Sequence, residues 1–164
     1  VKSPVDFVVA TLRQLGVGEL LLESLPAEGP LPRRPLLPAL AAAQAMRNMG
    51  MALMAPPDVS GWEGGTAWIS SATMAERIRW ASALFGSAGS GRASVGFPAE
   101  RLFAGTPGPD QLAKRLFEVF DAPKAPETLE LAARAASARA ADGTRAMAEA
   151  ASQVVFASPA FQYA

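Results

Sequence analysis

The chain has 164 residues, with 15 basic side chains balancing 15 acidic ones, and charged residues make up only 18% of it. Histidine and cysteine are both absent, which excludes disulfides, thiolate nucleophiles, imidazole or thiolate metal ligands, and serine–histidine–aspartate triads from this stretch of chain. A net charge of zero lacks the basic footprint that nucleic-acid phosphates require, so we expect no nucleic-acid partner. No metal and no cofactor are expected either, since the usual imidazole and thiolate ligands are missing.

The first residues carry a helix-start signal. Ser3, Pro4 and Asp6 supply an N-cap, a first-turn proline and an acidic third residue. Apolar residues then recur near one helical face until Gly16. This pattern predicts a short amphipathic helix over residues 4–15.

A proline-rich connection and a second helix follow. Four prolines and one glycine between residues 25 and 35 forbid regular structure and predict a connecting loop. Residues 36–54 have high helix propensity and predict a central helix that stops before Pro56 and Pro57. Its four methionines are expected to fill the core, although they would also suit an adaptable binding face.

The next helix is expected over residues 73–85, capped by Ser70 or Ser71. One side of it should carry five residues, which are Ala75, Ile78, Ala81, Ser82 and Phe85. Glycine and serine dominate residues 86–96, which predicts a flexible loop.

The last third of the chain predicts three more helices. One opens near Pro109 and carries an apolar stripe to Phe120. The alanine-rich residues 127–157 are expected to form two helices separated at Gly143. Because no segment alternates like a strand, we predict an all-α fold: a single domain over residues 1–164, an irregular bundle of about five to six helices with long Pro/Gly-rich connections.

Residues 55–71 concentrate two prolines, three glycines and two of the three tryptophans of the chain. The glycines permit tight turns, and each tryptophan buries a large area when it anchors a loop. The pattern therefore predicts an ordered loop in which Trp62 and Trp68 seal the junction between two helices.

Three stretches resemble a known family: "VKSPVDFVVATLRQLG" at the start, "MGMALMAPPDVSGWEGGTAWISSATMAERIRWASALF" in the middle and "VVFASPAFQYA" at the end. Together they resemble the C-terminal portion of the bacterial family catalogued as domain of unknown function 1800. The central proline, glycine and tryptophan motif is specific, whereas the ending is weaker. The resemblance implies no established activity and no catalytic residues.

The same resemblance implies that this chain is the C-terminal part of a longer bacterial protein, whose missing N-terminal region would be a partner. Genes of the family often lie near those of exported, sulfatase-like proteins, which hints at an extracytoplasmic pathway. No apolar run is long enough to suggest a transmembrane segment.

Two functions follow as expectations. The low charge content predicts an unusually apolar surface, which is typical of a non-catalytic interaction or structural module that contacts another protein or a second copy. The alternative is a ligand-binding or catalytic module, with glycans as a candidate ligand and its cleft at the Trp62 to Trp68 loop. Its candidate site residues are Asp58, Trp62, Glu63, Trp68 and Arg77. Arg77 is also expected to hold the glycine-rich loop by hydrogen bonds or an ion pair.

Overall fold

The computed structural model describes residues 1–23, 25–26, 28–30, 37–86 and 94–163. Those residues contain eight α-helices and no β-strand, which confirms the all-α prediction. In chain order the helices are α1 (Pro4–Gln14), α2 (Val17–Glu23), α3 (Leu37–Asn48), α4 (Ser71–Phe85), α5 (Pro109–Val119), α6 (Pro126–Ala138), α7 (Thr144–Ala157) and α8 (Pro159–Tyr163). The short helices α2 and α8 add to the five or six that the sequence predicts.

Two of the predicted connections lie largely outside the described residues. The proline-rich loop at 25–35 is one, and residues 87–93 of the glycine-rich stretch are the other. The end of that second stretch is described, and it lies along the C-terminal turn of α4. There the amide of Val95 donates to the carbonyl of Ala83 at 2.8 Å, and Phe97 donates to Leu84 at 2.7 Å.

The helix starts follow the local capping chemistry. Before α1, the Ser3 hydroxyl accepts from the Asp6 amide at 3.2 Å, and the Asp6 carboxylate accepts from the Ser3 amide at 3.3 Å. Ser70 caps α4 by accepting from the amide of Thr73 at 3.2 Å. Both are reciprocal capping boxes, which satisfy amides that have no partner inside the helix.

The predicted end of α3 is wrong by six residues, because the helix stops at Asn48 rather than at Met54. Gly50 adopts a φ of +94°, a left-handed conformation that glycine adopts without steric cost. The Met51 amide then donates to the Met46 carbonyl at 2.9 Å, and the Gly50 amide donates to Arg47 at 3.0 Å. This pair of bonds is the Schellman motif, which closes the helix ahead of the two prolines.

The core is built around α7, which packs against α4, α5 and α6. Phe156 on α7 stands at the centre of an aromatic cluster, with ring centroids 5.1 Å from Phe7, 5.1 Å from Phe120 and 5.5 Å from Phe161. These rings join α1, the end of α5, α7 and α8. Burial of these rings provides apolar contact between the two ends of the chain.

The five residues predicted to share one side of α4 differ in burial. Ala81 and Phe85 are buried, but Ala75, Ile78 and Ser82 are only partly buried. The buried face instead carries Arg77, Trp80, Ala81, Leu84 and Phe85. Arg77, which the sequence predicts to hold the glycine-rich loop, is instead buried on this face and donates hydrogen bonds to distant segments.

Candidate functional site

The Trp loop, defined here as residues 51–70, connects α3 to α4 and is anchored at its C-terminal end by Trp68. This indole closes a short 3₁₀ helix, Gly65–Trp68, and is only 8% exposed. A Cβ placed on Gly50 would lie 3.9 Å from the Trp68 ring, so the ring lies beside the end of α3. The Trp68 carbonyl accepts from the Thr73 hydroxyl at 2.9 Å, which ties the same residue to the start of α4.

A hydrogen-bonded turn fixes the middle of the Trp loop. The Asp58 carboxylate accepts from the Ser60 amide at 2.8 Å and from the Ser60 hydroxyl at 2.5 Å. The Gly61 amide closes the turn by donating to the Asp58 carbonyl at 3.2 Å. The side-chain hydrogen bond from Ser60, followed by the backbone one, holds the pKa of Asp58 below its usual value.

Apolar side chains project from these turns into solvent. Met54 is 97% exposed and Val59 is fully exposed, with Leu53 about half exposed. The turn that carries Met54 is closed by the Ala55 amide, which donates to the Ala52 carbonyl at 3.0 Å. The exposed apolar residues of the Trp loop therefore lie within hydrogen-bonded turns.

The charges of the Trp loop are all negative. Its two ionisable residues are Asp58 and Glu63, and no basic residue occurs between Arg47 and Arg77. Both carboxylates are exposed, and neither forms an ion pair with any residue that the structure describes. The loop thus combines exposed apolar side chains with two unpaired negative charges.

Arg77 does not hold the Trp loop, so that expectation is wrong. Its side chain is fully buried. The guanidinium donates one hydrogen bond of 2.6 Å to the side-chain oxygen of Gln162 and another of 2.8 Å to the Lys2 carbonyl. The guanidinium also lies 5.0 Å from the centre of the Phe7 ring. Burial lowers the pKa of Arg77 from its usual value. Its partners belong to the two ends of the chain, not to the loop.

The structure thus separates the five candidate site residues into two groups. Asp58 and Glu63 are exposed on the Trp loop, and Trp62 is partly exposed. Trp68 and Arg77 are buried, the first at the base of the loop and the second between the chain ends. The sequence pattern does not indicate that Met54 and Val59 lie at the surface, and only the alternative of a methionine-rich binding face points to Met54.

A second surface feature lies between α5 and α6. It is an open groove of about 590 Å³. Its lining contains apolar and charged side chains, namely Pro109, Asp110, Lys114, Pro126, Leu129, Glu130, Ala133, Arg134 and Ser137. Glu130 pairs with Arg134 at 2.8 Å, whereas Lys114 has no ion pair within the described part of the chain.

Two further features are absent from the described ranges. No cluster of three or more acidic, histidine or cysteine side chains there could hold a metal ion. No helix in those ranges combines the length and apolar character needed to cross a membrane.

An all-helical domain with a tryptophan-anchored loop between its third and fourth helices is the class of protein that these features define. Within that class, the chain belongs to the family described as protein of unknown function (DUF1800), whose model matches residues 1–163. Searches of curated proteins and of solved structures gave no match.

Proposed function

We propose that this chain is a non-catalytic protein-interaction module and that the Trp loop is its contact surface. The observation that carries the proposal is the full exposure of Met54 and Val59 on hydrogen-bonded turns. Exposed apolar residues on a surface otherwise poor in charge are typical of sites that bind other proteins.

The order of the loop supports the same function. A partner that binds a preformed loop does not have to offset the entropy of ordering it, so fewer contacts suffice for a given affinity. Trp68 stabilises the ordered loop at its base, because it is buried against the ends of α3 and α4. Methionine suits the contact side, since its flexible thioether adapts to irregular surfaces.

The glycan-binding or catalytic alternative has less support. Stacking on a sugar ring needs an exposed aromatic face, and Trp68 is buried, which leaves Trp62 as the one partly exposed indole of the loop. Hydrogen bonds keep Asp58 ionised, a state unsuited to a general acid near neutral pH. The alternative stays a prediction, which a fluorescence titration with oligosaccharides tests. We expect no shift in the wavelength of Trp62 emission.

Site-specific photo-crosslinking tests the proposal. A benzophenone amino acid replaces Val59 in cells that make the protein, and the same residue replaces Leu22 on α2 as a matched control, because Leu22 is another exposed apolar side chain. We expect a discrete protein adduct from position 59 that disappears in a Met54→Asp background and is absent from position 22. Equal adducts from both positions, or none from position 59, would contradict the proposal.

A further inference from the structure

We infer that Met54 is a modification site, at which a hydroperoxide oxidises the thioether to a sulfoxide and thereby releases the partner from the Trp loop. The release rests on the proposed function, and it goes beyond that function by giving the contact a means of regulation. The selective oxidation of Met54 follows from the structure of the free chain alone.

Exposure separates Met54 from the other methionines of the chain. The chain contains six methionines, and the side chain of Met54 is 97% exposed. Met74 is partly buried on α4. The remaining four are at most 8% exposed, namely Met46, Met49, Met51 and Met147. An oxidant has to reach the sulfur atom to react with it, so Met54 should be oxidised first.

The backbone of the Trp loop holds Met54 in this exposed position. Its φ is +66°, a left-handed conformation that residues with a long side chain rarely adopt. The turn that imposes it is closed by the hydrogen bond of 3.0 Å from the Ala55 amide to the Ala52 carbonyl. A strained backbone conformation that the surrounding structure maintains is typical of functional positions. The exposure of this sulfur is therefore built into the turn.

The reaction transfers one oxygen atom. A lone pair on the Sδ atom of Met54 attacks the terminal oxygen of the hydroperoxide, and the bond between the two peroxide oxygens breaks. The departing oxygen takes the hydroperoxide proton and leaves as an alcohol, or as water when the oxidant is hydrogen peroxide. The sulfur loses two electrons and the peroxide gains two. The product is a polar, chiral sulfoxide, which methionine sulfoxide reductases can convert back to the thioether.

This sulfoxide should change the contact without changing the fold. In the free chain the side chain of Met54 is already in water, so a more polar group there disturbs no packing. In the complex the partner would cover the same side chain, and burying a sulfoxide that lacks a hydrogen-bond partner is unfavourable. Oxidation of Met54 should therefore weaken binding and leave the melting curve unchanged. Oxidation of a fully buried methionine such as Met49 would instead disrupt the core.

Peptide mapping of the folded chain after treatment with hydrogen peroxide tests the oxidation step. Trypsin releases residues 48–77 as one peptide, in which Met54 is accompanied by the buried Met49 and Met51. We expect Met54 to be oxidised at least about tenfold faster than these two in the folded chain, and at a similar rate in denaturant. Equal rates in the folded chain, or a melting curve that shifts when Met54 alone is oxidised, would overturn the inference.

Photo-crosslinking from position 59 tests the release of the partner. The purified chain with benzophenone at this position is oxidised, freed of peroxide and added to an extract of the cells that make the protein. We expect oxidation to reduce the adduct at least about tenfold, and Met54→Leu, which keeps an apolar side chain without sulfur, to prevent this loss. Met74→Leu is the matched control and should remain as sensitive to peroxide as the unmodified chain.

The outcomes separate this inference from the proposed function. An adduct that persists when Met54 is fully oxidised, or one that is lost equally in the Met54→Leu chain, would overturn the inference and leave the proposed function standing. Absence of the adduct before any oxidation would contradict the proposed function, and the release of a partner with it.

Discussion

Arg77 and Gln162 lie 85 residues apart in the chain and form a buried hydrogen bond of 2.6 Å between the guanidinium and the side-chain amide oxygen. The amide nitrogen of Gln162 donates in turn to the Phe156 carbonyl. The second Arg77 nitrogen donates to the carbonyl of Lys2, whose own amide donates to the Gln162 carbonyl at 2.9 Å. One side chain on α4 therefore joins the first residues of the chain to α8.

Replacing Arg77 by alanine should lower the free energy of unfolding by about 3 kcal/mol, because it leaves the buried side-chain oxygen of Gln162 and the partly buried Lys2 carbonyl without this donor. Arg79→Ala is the matched control. Arg79 lies two residues further along the same helix but is largely exposed and pairs with Glu76, so its loss should cost about 0.5 kcal/mol. Urea denaturation of the three proteins measures both values. Equal effects of the two changes would contradict a structural role for Arg77.

The indole of Trp80 donates to the Thr11 hydroxyl at 2.8 Å inside the core, and that hydroxyl donates to the Val8 carbonyl. Thr11→Val keeps the shape of the side chain but removes the acceptor, so we expect a loss of about 1.5 kcal/mol in unfolding free energy. Thr106→Val, at an exposed position, should change it by no more than about 0.5 kcal/mol. Thermal and urea unfolding measure the stability of both variants. A Thr11→Val protein with an unchanged free energy of unfolding would show that the hydrogen bond from Trp80 to Thr11 adds no net stability.

The two tryptophans of the Trp loop should differ in their contribution to stability. Trp68→Ala removes a buried ring and should cost about 3 kcal/mol, whereas Trp62→Ala removes a partly exposed one and should cost about 1 kcal/mol or less. Differential scanning calorimetry gives the comparison directly. A double replacement that melts like the unmodified chain would contradict the assignment of Trp68 as the anchor of the loop.

The Asp58 turn should weaken in acid. Hydrogen bonds from Ser60 lower the pKa of Asp58 below its ordinary 3.8, so this carboxylate favours the folded turn above that pH. The contribution is lost as the pH falls through the lowered pKa, because protonation removes an acceptor from the Ser60 amide. In an NMR titration the Ser60 amide should report this lowered pKa, and Ser60→Ala should return the pKa of Asp58 toward 3.8. A titration at the ordinary value in both proteins would contradict the turn.

Local signals made most helix boundaries predictable from the sequence. Ser3 with Asp6 fixed the start of α1, and Gly143 separated α6 from α7, because caps and glycines act through neighbouring residues. The end of α3 was not predicted. Helix propensity alone extends the helix to the two prolines, because it does not indicate that Gly50 adopts a left-handed conformation. The short α2, which follows directly on Gly16, was also missed.

The surroundings of the candidate site residues were less predictable than the helices. The sequence indicated an ordered loop with tryptophan anchors, and of the two tryptophans Trp68 is the one buried at its base. It could not indicate that Arg77 is buried, because the partners that allow this lie 75 and 85 residues away in the chain. The exposure of Met54 and Val59 depends in the same way on how the loop leaves α3, which a pattern of residue types does not encode.

The proposed contact surface requires that the Trp loop is ordered before any partner binds, and ¹⁵N relaxation of the free chain measures this order. The amides of Met54, Val59 and Gly61 should show backbone order parameters of about 0.85, as in the helices, because their turns are closed by hydrogen bonds and anchored by Trp68. Order parameters below about 0.6 at these three positions, with the helices still rigid, would contradict a preformed contact surface.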